Sequence, residues 1–587
     1  MADRLLEPTP DEDAAARPTS SRARAALLAL LALLALLAWQ RAEAPRAFFS
    51  GDEGVKSVQR AALAAGQEAL VDPSRAFGAV ASGGAGEPAE LQPWRPPFAV
   101  PCPGGMCSVW RNPVVRAGAW AERGGGPGAA AGIAWAGLLG WALATALLAS
   151  RLGAPPWSTA LALVATTPAW LYGLVVWEHA PAAAALTLAL AWALPRAGPG
   201  SSDPVTASAT VRAGGLGLLV GLATLSRPES VLLAAAALAT AATWRRRREL
   251  AALATAAALP VVGEAIGGGA LTAWLESNAA MAPATAGWSD RAARAMTMVA
   301  GVPGAAMPFA AVGGLGLLTL ALAIAARRRA GGDGSLVSSA LGWLWLGGAA
   351  AVAATLVPEP SAQVVGLVVA APAAALGWLL RDRDAAPGQA TLATAATRRL
   401  AWSAGLGLIL ALLLAPNDGG SQWGPRYLLP WLAPGLAFAL HSPARWRRHV
   451  VAALALGLVV QLLGARHFAT QQADKRAALR WLQASPARTL VAHAWYAPQE
   501  LASLALDEGW DVALADAPAA MQRAMRDLAT RRVAWWVLAT LPGNDVRAAM
   551  DGRTPWRWVG ARTVSLPPVA VELHLLGTPE AIEQAGR

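Results

Sequence analysis

Between Arg24 and Ala465 the chain alternates long apolar runs with short polar strips. The runs are too long for strands and lack the one-sided stripe of a surface helix. Each therefore predicts a membrane helix, which needs about 20 residues to cross a bilayer. About thirteen spans are expected on this pattern. The first seven are Arg24–Trp39, Ala129–Ala149, Trp157–Val176, Ala180–Leu194, Val211–Leu225, Ser230–Trp244 and Leu250–Ile266. The rest are Pro308–Ala326, Val337–Val357, Gln363–Leu380, Leu400–Ala415, Tyr427–Leu440 and His449–Ala465. The first run has the basic flank of a signal peptide, but no small-x-small cleavage site follows it. Trp39 suits an interfacial anchor, so the run reads as a retained helix.

Beyond the last span the pattern changes. Strand-like runs ("RTLVAHAWY", "WDVALAD", "VAWWVLAT", "AVELHLLG") alternate with helix-like ones ("APQELASLALDEG", "APAAMQRAMRDLATRR"). This predicts a small α/β unit over 469–587, with no Gly-rich phosphate loop, as a structural or acceptor-positioning module. The expected organisation is an N-terminal tail (1–23), a helical membrane region (24–468) with a large first loop at 40–128, and this unit.

Composition agrees with the pattern: 55% of the 587 residues are hydrophobic and 14% charged, against about 25% charged in soluble chains. The net charge of +11 would suggest nucleic acid in a soluble protein. Here the arginines sit in short loops, where topology accounts for them, and no nucleic-acid partner is expected. Arg22, Arg24, Arg151, Arg196, Arg212, Arg245–Arg248, Arg327–Arg329, Arg381, Arg383, Arg398, Arg399 and Arg445–His449 all fall on the side of the N-terminus. That side is then cytoplasmic, and an odd span count puts the C-terminus outside. The only two cysteines, Cys102 and Cys107, share the first outer loop. In an oxidising compartment they read as a disulfide across a Pro-Gly turn; two free thiols are the alternative.

Four polar interruptions fall on the outer face, each with a bland reading beside the chemical one. In "GDEGVKSVQ", Asp52 and Glu53 suit the first turn of a helix, and Lys56 shares a face with Asp52. A cap and a surface ion pair would explain them equally well. Lys56 is one of two lysines among the 48 basic residues. In "VVWEHAP", Glu178 and His179 separate two apolar runs, as an interfacial turn also would. In "LATLSRPES", Arg227 and Glu229 flank the helix-stopping Pro228, either as an anion site or as a local pair. In "APNDGGSQWGPRYLLPW", Arg426 stands beside Trp423 and Tyr427, behind Asp418, as a site or as a snorkelling arginine. Charge at membrane depth costs a few kcal/mol, so four such breaks on one face call for a common reason. Carboxylates that take a proton and cations that hold a phosphate, beside lipid, describe sugar transfer from a lipid phosphate.

With these motifs, in this order and on this side, the sequence resembles the GT-C superfamily of integral-membrane glycosyltransferases. That group contains protein O-mannosyltransferases and the aminoarabinose transferases that modify lipid A. "FFSGDEGVKSVQ" with the later "WGPRYLLP" is most similar to bacterial family-39-like members. The resemblance implies a polyprenyl-phosphate sugar donor, an envelope glycan, lipid or protein acceptor, inversion by single displacement, and a place in the bacterial cytoplasmic membrane. It implies Asp52 as the base, with Glu53 as the neighbouring candidate, Glu178 and His179 orienting acceptor or sugar, and Arg227, beside Glu229, gripping the phosphate. Lys56 and Arg426 are further phosphate candidates on charge and sidedness. "VWRNP" after Cys107 departs from the apolar re-entry expected of this loop. Some relatives use a divalent metal through an acidic motif; no D-x-D triplet stands in the first loop, so no cofactor is taken as required. A transporter or flippase for a lipid-linked saccharide is the main rival, but it should show internal repeats and mid-membrane charge, for which Glu264 is the one candidate. A non-enzymatic scaffold is the other.

Overall fold

The computed structural model describes residues 17–42, 47–70, 72, 91–95, 98–102, 104–110, 112–126, 128–195, 207–242, 246–266, 287–300, 335–354, 366–380, 392–415, 423–543, 554–566 and 569–586. The expected span Pro308–Ala326, Arg327–Arg329 and Asp418 lie outside them, as does most of the tail 1–23. The described chain is mostly helical, with a two-stranded and a five-stranded sheet. Among the described residues four helical stretches are long and apolar enough to cross a membrane: Ala131–Arg151, Ala209–Ser226, Ala395–Leu414 and Arg447–Ala484. His179–Ala193 and Ser230–Ala241 are apolar but shorter.

Several expected spans are interrupted, and proline is the usual cause. The run Trp157–Val176 forms two helices, Pro156–Thr166 and Ala169–Leu174, because Pro168 has no N–H for the ladder. Gln363–Leu380 likewise divides into Leu367–Ala370 and Pro372–Leu380. Tyr427–Leu440 opens as a 3-10 turn, Arg426–Trp431, with Pro430 inside it, before the helix Leu432–Leu440. Such breaks free backbone groups inside a buried region, and those groups need partners.

The last span departs the other way. His449–Ala465 belongs to one helix of 38 residues, Arg447–Ala484, roughly 57 Å long at 1.5 Å per residue. The expected boundary between membrane region and C-terminal unit therefore falls inside a continuous helix. Gly464, beside the expected end of the span, does not break the helix, and no Pro stands there; the chain only turns from apolar to amphipathic.

The C-terminal sheet runs β4 (Asp511–Leu514), β3 (Thr489–Ala492), β5 (Trp535–Thr540), β7 (Val569–Gly577), β6 (Arg557–Leu566). The first three are parallel and the last two antiparallel. Side chains alternate between its faces. Leu490, Ala492, Val512, Leu514, Val537 and Ala539 pack against Ala478, Leu479 and Leu482 from the end of the long helix. Val491, Ala513, Trp536 and Leu538 pack against Ala520, Met521, Ala524 and Leu528 of the helix Pro518–Thr530.

The first loop carries the helix Gly51–Ala64, here the loop helix. A hairpin of β1 (Ala99–Cys102) and β2 (Gly105–Ser108) follows, closed by a Cys102–Cys107 disulfide. The last two residues of "VWRNP" open the amphipathic helix Pro113–Gly125: Asn112 Oδ1 accepts from the Val114 and Val115 N–H groups, with Pro113 in the first turn. The loop helix packs its Val55 and Val58 with Trp94, Met106 and Ala502, so hairpin and C-terminal unit share its core.

Candidate active site

The loop helix meets the broken ends of the membrane helices, and the polar breaks of the sequence converge there. Asp52 Oδ2 lies 3.3 Å from Arg426 Nη1. Lys56 Nζ lies 2.7 Å from Glu178 Oε2, and Glu178 Oε1 lies 3.4 Å from Arg227 Nη1. Arg227 donates from Nε to Glu229 Oε1 at 2.7 Å and pairs with it again through Nη2. Tyr427 joins the two arginines: Arg426 stacks 5.1 Å and Arg227 5.6 Å from its ring centre, and Arg426 Nη2 donates to its hydroxyl at 3.2 Å. Three carboxylates thus balance three cations.

The i, i+4 pair that spacing allows between Asp52 and Lys56 is not formed; each turns to a partner more than a hundred residues away. Arg227 does form its local pair with Glu229, but as one end of a longer chain of charges. Arg426 points inward to Asp52.

Burial divides the cluster. The side chains of Lys56 and Glu178 are 1% exposed, whereas Asp52, Arg426 and Glu229 are 17%, 16% and 13% exposed. Lys56 is sealed between Trp110 and Trp177, 5.0 and 5.4 Å from its Nζ. Burial pulls the Lys56 ammonium below its ordinary pKa against the attraction of Glu178 and Asp52. Burial also disfavours charge on Glu178, but Lys56 and Arg227 on either side outweigh it and hold that carboxyl below its ordinary range. Lys56 and Glu178 form an inner strut; Asp52, Glu229 and Arg426 form the rim.

Glu53 stands apart. Its Oε2 accepts from the Phe49 N–H at 2.7 Å and its Oε1 from the Val176 N–H at 2.9 Å. The second bond satisfies backbone freed where the helix Ala169–Leu174 ends, so Glu53 fastens the loop helix to that end, with both of its oxygens engaged. His179 packs on Tyr172 and Trp177, at 4.9 and 5.2 Å, with neither ring nitrogen hydrogen-bonded.

Donors and acceptors remain to spare. Among the described residues, Lys56 uses one of its three donors, and Arg426 Nε, Glu229 Oε2 and the Ser230 hydroxyl are buried without hydrogen-bond partners. Buried polar atoms left unpaired are costly, and several at one site favour a polar ligand that would pair them. Among the described residues no group of three or more His, Cys, Asp or Glu side chains could hold a metal ion.

Tyr427, noted in the sequence only as a neighbour of Arg426, bridges both arginines, and two contributors carried no sequence expectation: Lys475 and Glu500, which meet the loop helix from the C-terminal unit. The rarity of lysine was the available signal for Lys475.

No protein-family model and no curated protein matches the chain. It is similar to two solved structures. One is ArnT from Cupriavidus metallidurans bound to undecaprenyl phosphate, at 13% identity over 93% of this chain and 97% of that one, with a TM-score of 0.38. The other is the archaeal oligosaccharyltransferase AglB from Archaeoglobus fulgidus in complex with an inhibitory peptide and a dolichol-phosphate, at 12% identity over 87% and 69%, with a TM-score of 0.40. Scores this low leave the functional reading to the geometry.

Proposed function

We propose that the chain is a membrane glycosyltransferase that moves a sugar from a polyprenyl-phosphate donor to an acceptor hydroxyl on the outer face of the bacterial cytoplasmic membrane. The observation that carries this reading is the rim: a partly exposed carboxylate, Asp52, against Arg426, above an arginine held by a buried ion-pair chain. Asp52 takes the proton of the acceptor hydroxyl as its oxygen attacks the anomeric carbon. The bond to phosphate breaks, its electrons pass to the phosphate oxygen, and Arg426 and Arg227 stabilise the growing charge. Attack opposite the leaving phosphate inverts the anomeric centre. Glu178 fixes Arg227, with Lys56 behind it, and Glu229 holds the other edge of that guanidinium. The unpaired His179 nitrogens suit sugar hydroxyls. No metal or cofactor is invoked, because two guanidinium groups meet the phosphate charge.

The test is transfer in proteoliposomes supplied with polyprenyl-phosphate sugars, read by mass spectrometry of the acceptor pool. Asp52→Asn is expected to lower kcat by about 10²-fold or more while binding of the lipid phosphate persists. Full activity in that variant would remove Asp52 from the mechanism.

A further inference from the structure

The second lysine explains how the base-bearing helix is held. Lys475 lies on the long helix, and with its partner Glu500 it is almost wholly buried. Lys475 Nζ donates to the Phe48 carbonyl at 2.8 Å and the Phe49 carbonyl at 2.9 Å, and its third donor goes to Glu500 Oε2. Glu500 Oε1 accepts from the Gly51 N–H at 2.6 Å. A helix opens with N–H groups that need acceptors, and Ser50, at the N-cap position, makes no side-chain cap bond. A carboxylate from 449 residues away supplies the cap instead, where the helix dipole favours negative charge.

The turn Phe48–Gly51 is thereby gripped from both sides. Lys475 and Glu500 take two carbonyls and one N–H, and Glu53 takes the Phe49 N–H. Asp52 is the next residue. We propose that Lys475 and Glu500 are positioning residues: the C-terminal unit caps the loop helix through them and so fixes the Asp52 carboxylate against Arg426. This rests on Asp52 being the base. It gives the C-terminal unit a task in the reaction, because a shift of about 1 Å at a reacting group can cost about 10²-fold in rate.

Lysine suits the position because three donors radiate from one nitrogen, onto three acceptors here. The planar fork of arginine cannot converge in that way.

The test compares Glu500→Ala, Glu500→Gln and Lys475→Arg in the full-length protein. Glutamine can still accept from Gly51, so it serves as the conservative rescue. Glu500→Ala and Lys475→Arg are expected to lower kcat about 10²-fold with donor KM within about twofold, and Glu500→Gln to recover most of the loss. Hydrogen exchange in the peptide spanning Ala47–Lys56 should rise in the first two. In an Asp52→Asn background neither should lower the residual rate further. Unchanged exchange would overturn the clamp, and raised exchange with unchanged kcat would overturn its positioning role. A fully active Asp52→Asn would instead bring down the reading of Asp52 as base, and the positioning role with it; exchange would still report whether the pair holds the turn.

Discussion

At the scale of single residues, the two lysines do the same kind of work from opposite directions. Each is buried and paired with a buried glutamate; Lys56 stands on the loop helix, and Lys475 grips the turn before it. Removing one partner of such a pair leaves a charge stranded, which typically costs about 3–5 kcal/mol, while removing both can cost little. Lys56→Met should therefore lower the unfolding midpoint in detergent, by less than a fully stranded carboxylate would because Glu178 keeps Arg227, and adding Glu178→Gln should recover part of the loss. Equal destabilisation by the single and double variants would argue that Lys56 contributes through its contacts with Trp110 and Trp177. Asp52, Glu178, Arg227 and Arg426 were legible in the sequence because polar groups stand out among apolar runs. Glu500 was not: in a polar tail a glutamate draws no notice, and its partner lies 25 residues away in another element.

At the scale of elements, the "GDEG" turn divides its labour by position. Gly51 gives its N–H to Glu500, Asp52 faces Arg426, and Glu53 binds backbone. Gly54 lets another backbone approach: a Cβ there would stand 1.8 Å from the Gln499 carbonyl oxygen. In an exposed helix interior, alanine is better than glycine by about 1 kcal/mol. Here the sign should reverse, since backbone cannot yield as a flexible side chain can. Gly54→Ala should lose stability and activity together. Gly132→Ala, where nothing lies within 4 Å, should be neutral or stabilising when melted alongside it. A Gly54→Ala protein as stable as Gly132→Ala would mean that the loop helix does not dock closely on Gln499. Apolar runs alone could not reveal how the elements break. Trp157–Val176 reads as one span by hydropathy, and only the structure shows where its broken backbone finds partners: Thr167 Oγ1 for the Ala169 N–H and Glu53 for the Val176 N–H. Strand β6 was also unread, because "RWVGARTVSL" mixes charge and glycine into the face that Val564 and Leu566 bury.

At the scale of the whole molecule, one helix carries the membrane region into the C-terminal unit without a joint, and the charged clamp closes the circuit back to the first loop. That closure makes stability depend on the protonation of Glu500. Burial pushes its pKa up to about 7, against the pull of Lys475 and the Gly51 N–H and with a further push from Asp52. In the unfolded chain the same group ionises near its ordinary 4.5. Between those values the folded protein keeps a proton that the unfolded chain has lost, so unfolding releases a proton. Stability contributed by this group therefore falls as pH rises from about 4.5 to 7 and is level above. Glu500→Gln cannot titrate and sets the reference. The melting midpoint of the wild type minus that of Glu500→Gln, taken in steps across this range, should decline with pH and then flatten. A difference that stays constant through the window would show that Glu500 is already ionised at its lower end. The ion pair with Lys475 would then hold the base-bearing turn with its charge through that window.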